Sequence, residues 1–500
     1  MVAEVVQSIR PALAPLGAII CAFLILLSGE KRKNLREFWT MGAALSIFWV
    51  VASLLPPTLQ GTIIEYKSNL IRISPMLTLE FRVDALGQFF AFLSSSMWIL
   101  LAIYTIGYMR SMRERNQTRF YAAFAMSIAA ANGIAYAGNM FTLFIFYEML
   151  SISVYPLIIH HETEEAMRAG RKYLMYVLFG GVTVLGAMAM TYVLAGTVTL
   201  SQTGILAGTA PVNTLRLLFL VYIMGFGVKS AIMPLHGWLP TSMVAPTPAN
   251  ALLAVVEAGV FGIVRVVYNI FGVDLMRELG LGIILAYVAT ITILVASIYA
   301  FRQNNLKLRL AYSTVSQLSY VVLGVALLSP NGLTGGIIHI VHQAIMKSGL
   351  FFIAGAMFVH TGKKNISEMR GLGKRMPITM MTFSICALGV IGFPPLTGFI
   401  TKWFIAIGSL EAGHPIFVIV ILISAFLNAG YYLPIIYNGF FEEPDDGITE
   451  YDEAPIRLIL PAVVLAIATI ALGIFVNVPY TPFRLTHAAV RQFLHMPALF

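Results

Sequence analysis

Apolar runs of about 20 residues recur along the whole of this 500-residue chain. A helix rising 1.5 Å per residue needs about that many to cross the ~30 Å hydrocarbon layer of a bilayer. Charged residues make up 11% of the chain and hydrophobic residues 58%, with a mean hydropathy of +0.83. A soluble surface needs roughly a quarter charged residues, so lipid must be the outer solvent. The chain is expected to be an all-α membrane protein, one transmembrane domain over 1–500, multi-pass in the cell membrane. About fourteen spans are read, at 11–28, 39–55, 86–108, 120–137, 139–160, 173–195, 214–237, 249–271, 281–301, 308–328, 333–359, 379–410, 415–438 and 457–479. The opening run is expected to be a retained span, since no A-x-A cleavage site follows it.

The net charge of +9 would suit a nucleic-acid partner, but the positions of the charges exclude one. Loops after odd-numbered spans hold 20 Lys and Arg, among them Lys31–Lys33, Arg110–Arg119 and Lys363–Arg375, and the opposite side holds eight. The positive-inside rule then places both termini outside the cytoplasm. The last cytoplasmic loop, 439–456, is acidic and reads as a solvated loop, with docking of a partner as the alternative. Cys21 and Cys386 lie in apolar runs and read as small hydrophobes. No CxxC, zinc spacing, haem attachment, nucleotide loop or nucleophile motif occurs, so no cofactor is expected.

Four basic residues, Lys229, Arg265, Lys347 and Lys402, fall inside spans, as do two acids, Glu148 and Glu257. Each costs roughly 2.5–3.5 kcal/mol near the bilayer centre on insertion scales. Six together cost about 15–20 kcal/mol, comparable with the net stability of a domain. A scaffold has little reason to carry them. Arg265, late in its span, divides evenly between a snorkelling side chain and a functional one. The others are read as functional.

Two spans are also interrupted. The seventh, GFGVKSAIMPLHGWLP, has Lys229 five residues before Pro234, and the twelfth, GVIGFPPLTGFITKWF, has the pair Pro394 and Pro395 with Lys402 seven residues after Pro395. Proline removes a backbone hydrogen bond, and membranes tolerate such breaks where the freed backbone faces protein or a water-filled cavity. A lysine beside a break can take up and release protons. Spans 4–8 and 9–13 form two sets of five, about 118–271 and 281–438, each with its fourth helix broken beside a lysine. An odd number of helices per set inverts the second copy, as in secondary transporters. His339, Gln343 and Lys347 lie at i, i+4 and i+8, one polar stripe on an apolar helix, with His342 to one side. Two histidines on one helix cannot supply facing haem ligands. A proton relay is the reading, beside satisfied core histidines.

FYEMLS around Glu148, KSAIMPLHGWLPTSMVAPTPANALL from Lys229, KLRLAYSTVSQLSY from Lys307, HQAIMKSGLFFIAG around Lys347 and GFPPLTGFITKWF ending near Lys402 together resemble the proton-conducting antiporter-like membrane subunits. That family covers the D-type chain of Mrp cation/proton antiporters and the corresponding chains of respiratory complex I and membrane-bound hydrogenases. The resemblance, over about 75–440, implies fourteen helices in inverted repeats. It also implies a Glu148–Lys229 pair, a terminal carrier at Lys402, and a hydrated polar axis between them. It implies partner membrane subunits in an antiporter or redox complex, with H+ and a candidate second ion, Na+. Three positions depart: Glu257 stands where many relatives have lysine, Gln343 where histidine is usual, and Thr241 where an acid is frequent. Glu257 is expected to relay protons, to hold Lys229 or Lys402 as an ion pair, or to coordinate a cation. The stretches 360–375 and 398–440 look most like D-type Mrp chains, and the stretch after the last span is expected not to form the long lateral helix of the largest antiporter-like chain of complex I. The alternatives are a subunit of a redox-driven complex and a docking subunit with a dead path.

Overall fold

The computed structural model describes residues 5–74, 77–444 and 450–496. Strand β1 (Val5–Gln7) precedes α1 (Arg10–Ser28) and α2 (Lys33–Ser53), and a short turn, α3 (Leu55–Leu59), leads to β2 (Ile63–Ser74) and β3 (Leu77–Val83). β1 pairs parallel with β2, and β2 antiparallel with β3. This sheet corrects the all-α expectation in one place, the loop carrying Lys67, Arg72 and Arg82. Its sequence alternates with a period of two. Ile64, Phe81 and Val83 are buried, while Glu65 faces Arg82 and Lys67 faces Glu80 in cross-strand ion pairs at 3.5 and 3.1 Å.

Next come α4 (Ala85–Ser111), α5 (Gln117–Ala135), α6 (Met140–Ile158), α7 (Glu164–Ala195) and α8 (Val212–Lys229). The following stretch is fragmented into α9 (Trp238–Thr241), α10 (Thr247–Leu253), α11 (Ala258–Arg265) continued by a π-helical turn over Val266–Phe271, and α12 (Val273–Glu278). The long helices resume with α13 (Leu281–Arg302), α14 (Leu306–Ala326) and α15 (Pro330–Thr361). A four-residue turn, α16 (Leu372–Arg375), precedes the pair α17 (Pro377–Ile391) and α18 (Thr397–Glu411). The chain closes with α19 (Ile416–Phe441), α20 (Ile456–Ile474) and α21 (Pro482–Leu494).

Among the described residues, 11 helices are long and apolar enough to cross a membrane. Three expected spans fall outside that set: α5, α14 and the interrupted α17–α18 pair. Nearly all of α5 and α14 is buried in the bundle, so their surfaces meet protein and can carry hydroxyls and amides. The helix boundaries follow local chemistry. Thr163 and Ser329 cap the N-termini of α7 and α15 by accepting from Ala166 N and Gly332 N, each at 3.2 Å, and Gly196 and Gly362 end these helices in the left-handed region. Both helices have 32 residues, about 48 Å, and so outrun the hydrocarbon layer. Arg168, Arg171 and Lys172, expected in a loop, therefore ride on the first turns of α7.

At the centre stands α15, packed against α4, α10, α14, α17, α18, α20 and α21. The acidic stretch after α19 folds back on its own chain, apart from 445–449, which lie outside the described residues. Glu442 pairs with Arg370, Glu443 with Lys374 at 2.5 Å, and Asp452 with Arg375 at 2.8 Å and His360 at 2.9 Å.

Candidate functional site

The two proline-bearing breaks are where the sequence places them. Helix α8 ends at Lys229 and the chain resumes at Trp238, with Pro234 between, while Pro394 and Pro395 separate α17 from α18. A third break, over 254–257 between α10 and α11, has no proline to announce it. Glu257 is its last residue. Gly259, two residues on, lies so close to the Lys229–Ser230 backbone that a Cβ there would overlap it, so the first and third breaks abut.

Each buried lysine is held by neutral oxygens. Lys229 Nζ donates to Tyr147 O at 2.5 Å and sits 3.5 Å from the centre of the Tyr147 ring. A carbonyl, a π face and the carbonyl end of α8 all favour a cation there. Glu148, next to Tyr147 on α6, lies close enough to Lys229 for the two charges to interact, while the ammonium makes its hydrogen bond to the Tyr147 carbonyl. Lys402 Nζ caps the broken end of α17, donating to Val390 O at 2.9 Å and Ile391 O at 2.5 Å. Gly392 makes room for it with φ +94°, and a Cβ on Gly392 would stand 2.8 Å from Lys402 Cδ.

The stripe on α15 lies between these two lysines. His339, Gln343 and Lys347 are fully buried, and His342 nearly so. Gln343 Nε2 donates to Glu257 Oε1, so the partner of Glu257 is an amide and neither Lys229 nor Lys402. His342 Nδ1 lies 2.9 Å from Thr401 Oγ1, next to Lys402, and His339 packs its ring 5.7 Å from that of Tyr320. One turn beyond Gln343, Lys347 Nζ donates to Ser313 Oγ at 2.5 Å and to Tyr432 OH at 3.2 Å.

From Lys347 a hydrogen-bonded chain made only of protein groups reaches Lys402. Ser313 Oγ meets Tyr431 OH at 2.8 Å, Tyr431 OH donates to Asn428 Oδ1 at 2.6 Å, and Asn428 Nδ2 reaches Val390 O at 3.5 Å, the carbonyl that also receives Lys402. Sequence reasoning misses Ser313, Asn428 and Tyr431. The signal available is the hydroxyl-rich YSTVSQLSY of α14 facing NAGYY of α19. On the other side, a cavity of about 30 Å³ joins Lys229 to Glu257, walled also by Tyr173, Trp238 and Thr314. That is room for at least one water. The arrangement therefore sets Glu148, Lys229, Glu257, Gln343, Lys347 and Lys402 along one polar line, part-buried at Glu148 and Lys229 and buried from Glu257 to Lys402.

Arg265 lies off that line and does not snorkel. It is buried, and its two terminal nitrogens grip Asp84 at 2.5 and 2.9 Å, with Asn269 Oδ1 at 3.2 Å. Asp84 in turn caps α4 by accepting from Gly87 N at 2.7 Å. This is a structural clamp between α4 and α11.

A family model described as NADH:quinone oxidoreductase/Mrp antiporter, TM, matches residues 137–428, which hold all of that polar line. NADH-quinone oxidoreductase subunit N of Desulforudis audaxviator is 30% identical over 481 residues, covering 92% of this chain and 95% of its own length. The D-type chain of the Na(+)/H(+) antiporter of Bacillus subtilis is 25% identical over 471 residues, covering 93% of both chains. The fold is shared with a chain of the membrane-bound sulfane sulfur reductase, an archaeal respiratory membrane complex, at TM-score 0.87 and 24% identity over 97% of this chain and 98% of that one. A chain of the Mrp complex from Dietzia sp. DQ12-45-1b gives TM-score 0.85 at 21% identity over 97% of each chain. With the family match over more than half its length and a relative 30% identical along nearly all of it, this chain belongs to the NADH:quinone oxidoreductase/Mrp antiporter transmembrane family, as an antiporter-like membrane subunit.

Proposed function

We propose that this chain conducts protons along the buried line from Glu148 through Lys229, Glu257, the His339–Lys347 stripe and Lys402, as the ion-moving subunit of a larger membrane complex. The observation that carries this reading is the hydrogen-bonded chain from Lys347 to Lys402, built from the Ser313 and Tyr431 hydroxyls, the Asn428 amide and the Val390 carbonyl deep in the bundle. The Ser313 and Tyr431 hydroxyls both donate and accept, so each can pass a proton on, while the Val390 carbonyl only accepts and holds Asn428 and Lys402 together. The assembly proposed first is an Mrp-type cation/proton antiporter, with this protein as its D-type chain and Na+ as the second ion. The relative named NADH-quinone oxidoreductase subunit N supports a second reading, in which redox chemistry in partner subunits drives the same path.

Fourteen spans in two inverted five-helix repeats, over 118–271 and 281–438, belong to this proposal. Its support is a set of matching parts. The third helix of each set, α7 and α15, has 32 residues, a hydroxyl cap and a left-handed terminal glycine. The fourth is broken, with a lysine held by backbone carbonyls. Both termini are placed outside the cytoplasm by the bias of basic loops.

The test is proton transport by the native complex in vesicles. Lys229→Ala and Glu148→Ala are expected to abolish it while partner subunits still co-purify. Normal transport in both variants would refute the proposal. The subunits that co-purify separate the two assemblies: small hydrophobic antiporter subunits alone mean the exchanger, and iron–sulfur, flavin or nickel subunits mean the redox-driven complex.

A further inference from the structure

The cavity between Lys229 and Glu257 has a chemistry of its own. Glu257 is 4% exposed and Gln343 0%, yet Glu257 Oε2 and Gln343 Oε1 have no protein hydrogen-bond partner. The amide spends its nitrogen on Glu257 Oε1, which keeps its own oxygen within a few ångströms of the carboxylate. Thr314 adds a hydroxyl at the cavity wall. A carboxylate so far from water must be neutralised. The small cavity, about 30 Å³, has room for a small species beside Glu257. Three neutralising species can reach Glu257: a proton, the Lys229 ammonium across the cavity, and a dehydrated cation.

We infer that Glu257 and Gln343 form a binding site for a small alkali cation of sodium size, in which that cation competes with a proton on Glu257 and with the Lys229 ammonium. Hard cations take oxygen ligands, and Glu257, at the cavity, and Gln343, bonded to it from behind, offer carboxylate and amide oxygens. Glutamine suits both states. Its nitrogen donates to the carboxylate when no cation is bound, and a rotation of the amide presents its oxygen to a cation beside Glu257. One carboxylate balances one positive charge. When the cation binds to protonated Glu257, the proton leaves to water, and the carboxylate oxygens take the cation. Exchange at this point is therefore one for one. This inference rests on the proton-path reading above and names where its second ion binds.

The experiment is equilibrium binding of radioactive Na+ to the purified native complex in detergent, with choline as the replacement cation, at several pH values. Wild type is expected to bind Na+ more weakly as pH falls, because protons compete. Glu257→Gln is expected to weaken that binding about 30-fold or more, the order expected for removing one charged member of a buried pair. Glu257→Asp, which keeps the carboxylate, is expected to retain it, and Lys229→Ala, which removes the competing ammonium, is expected to tighten it. Wild type that binds no Na+, or Glu257→Gln and Glu257→Asp variants that both bind as wild type does, would overturn the inference. Proton flux is read separately in vesicles of the same preparation. Flux without Glu257-dependent Na+ binding overturns this inference and leaves the proton path standing. Glu257-dependent binding without flux supports the site and refutes the path.

Discussion

Lys229 and Arg265 show two ways of holding a cation among helices. Arg265 is fixed by a bidentate carboxylate that is itself tied to a helix cap. Lys229 rests on a carbonyl and an aromatic face with the Glu148 carboxylate near but not gripping it, an arrangement that can let go. Removing one member of a buried pair is costly. Arg265→Ala is expected to cost about 3–5 kcal/mol of stability, and the Arg265→Ala/Asp84→Ala double variant less than the sum of the singles. Thermal melting in detergent measures both. A third case lies outside the membrane, where Glu114 meets His161 Nε2 at 3.2 Å and His160 Nε2 at 3.6 Å. Burial pushes the Glu114 carboxyl up, but the hydrogen bonds and charges of the two histidines outweigh it and bring it down to about 2 from its ordinary 4.5. Its folded value is thus depressed. The stabilisation is full above about pH 4.5 and is lost as pH falls towards 2. Melting temperature followed from pH 6 to pH 3 is expected to fall less steeply in Glu114→Gln than in wild type. The lysines and Glu148 were legible in the sequence because ionisable residues inside apolar runs are rare. The hydrogen bond from Lys229 to the Tyr147 carbonyl was not, since it depends on which oxygen an ammonium reaches.

At the level of elements, prolines announced two of the three breaks. Nothing in LLAVVEAGV gives the third away. It arises from the packing of α11 against the end of α8, which Gly259 permits. The sheet was written in the alternation of LTLEFRV, inside a stretch otherwise read as connection. The break between α17 and α18 gives a sharp test. Gly392→Ala must place a side chain at φ +94° and against Lys402, and is expected to cost about 1–2 kcal/mol and to lower proton transport by displacing the ammonium from Val390 and Ile391. Gly186→Ala in α7, where a Cβ would meet nothing within 4 Å, is the control and is expected to leave transport unchanged. Equal transport by the two variants would show that Lys402 need not sit on those carbonyls.

At the scale of the whole molecule, the broad architecture was legible because lipid demands apolar length, and most spans fall within a few residues of their helices. The contacts that join the halves of the path were hidden, because Ser313, Tyr431 and Asn428 meet only when α14 and α19 come together. Orientation is open to a direct check. Single cysteines placed at Lys364 and at His487 are expected to react with a membrane-impermeant thiol reagent from opposite sides, Lys364 from the cytoplasm. Labelling of His487→Cys from the cytoplasm would reverse the proposed topology. The central claim is that one continuous polar line carries protons through the molecule, and Lys347 is the residue that joins its two halves. The most direct measurement is proton flux into vesicles containing the native complex with Lys347→Met, a change that keeps the apolar stem and removes the charge. A fall of roughly 100-fold with all partner subunits still bound is the predicted result. Wild-type flux in an intact Lys347→Met complex would contradict the account.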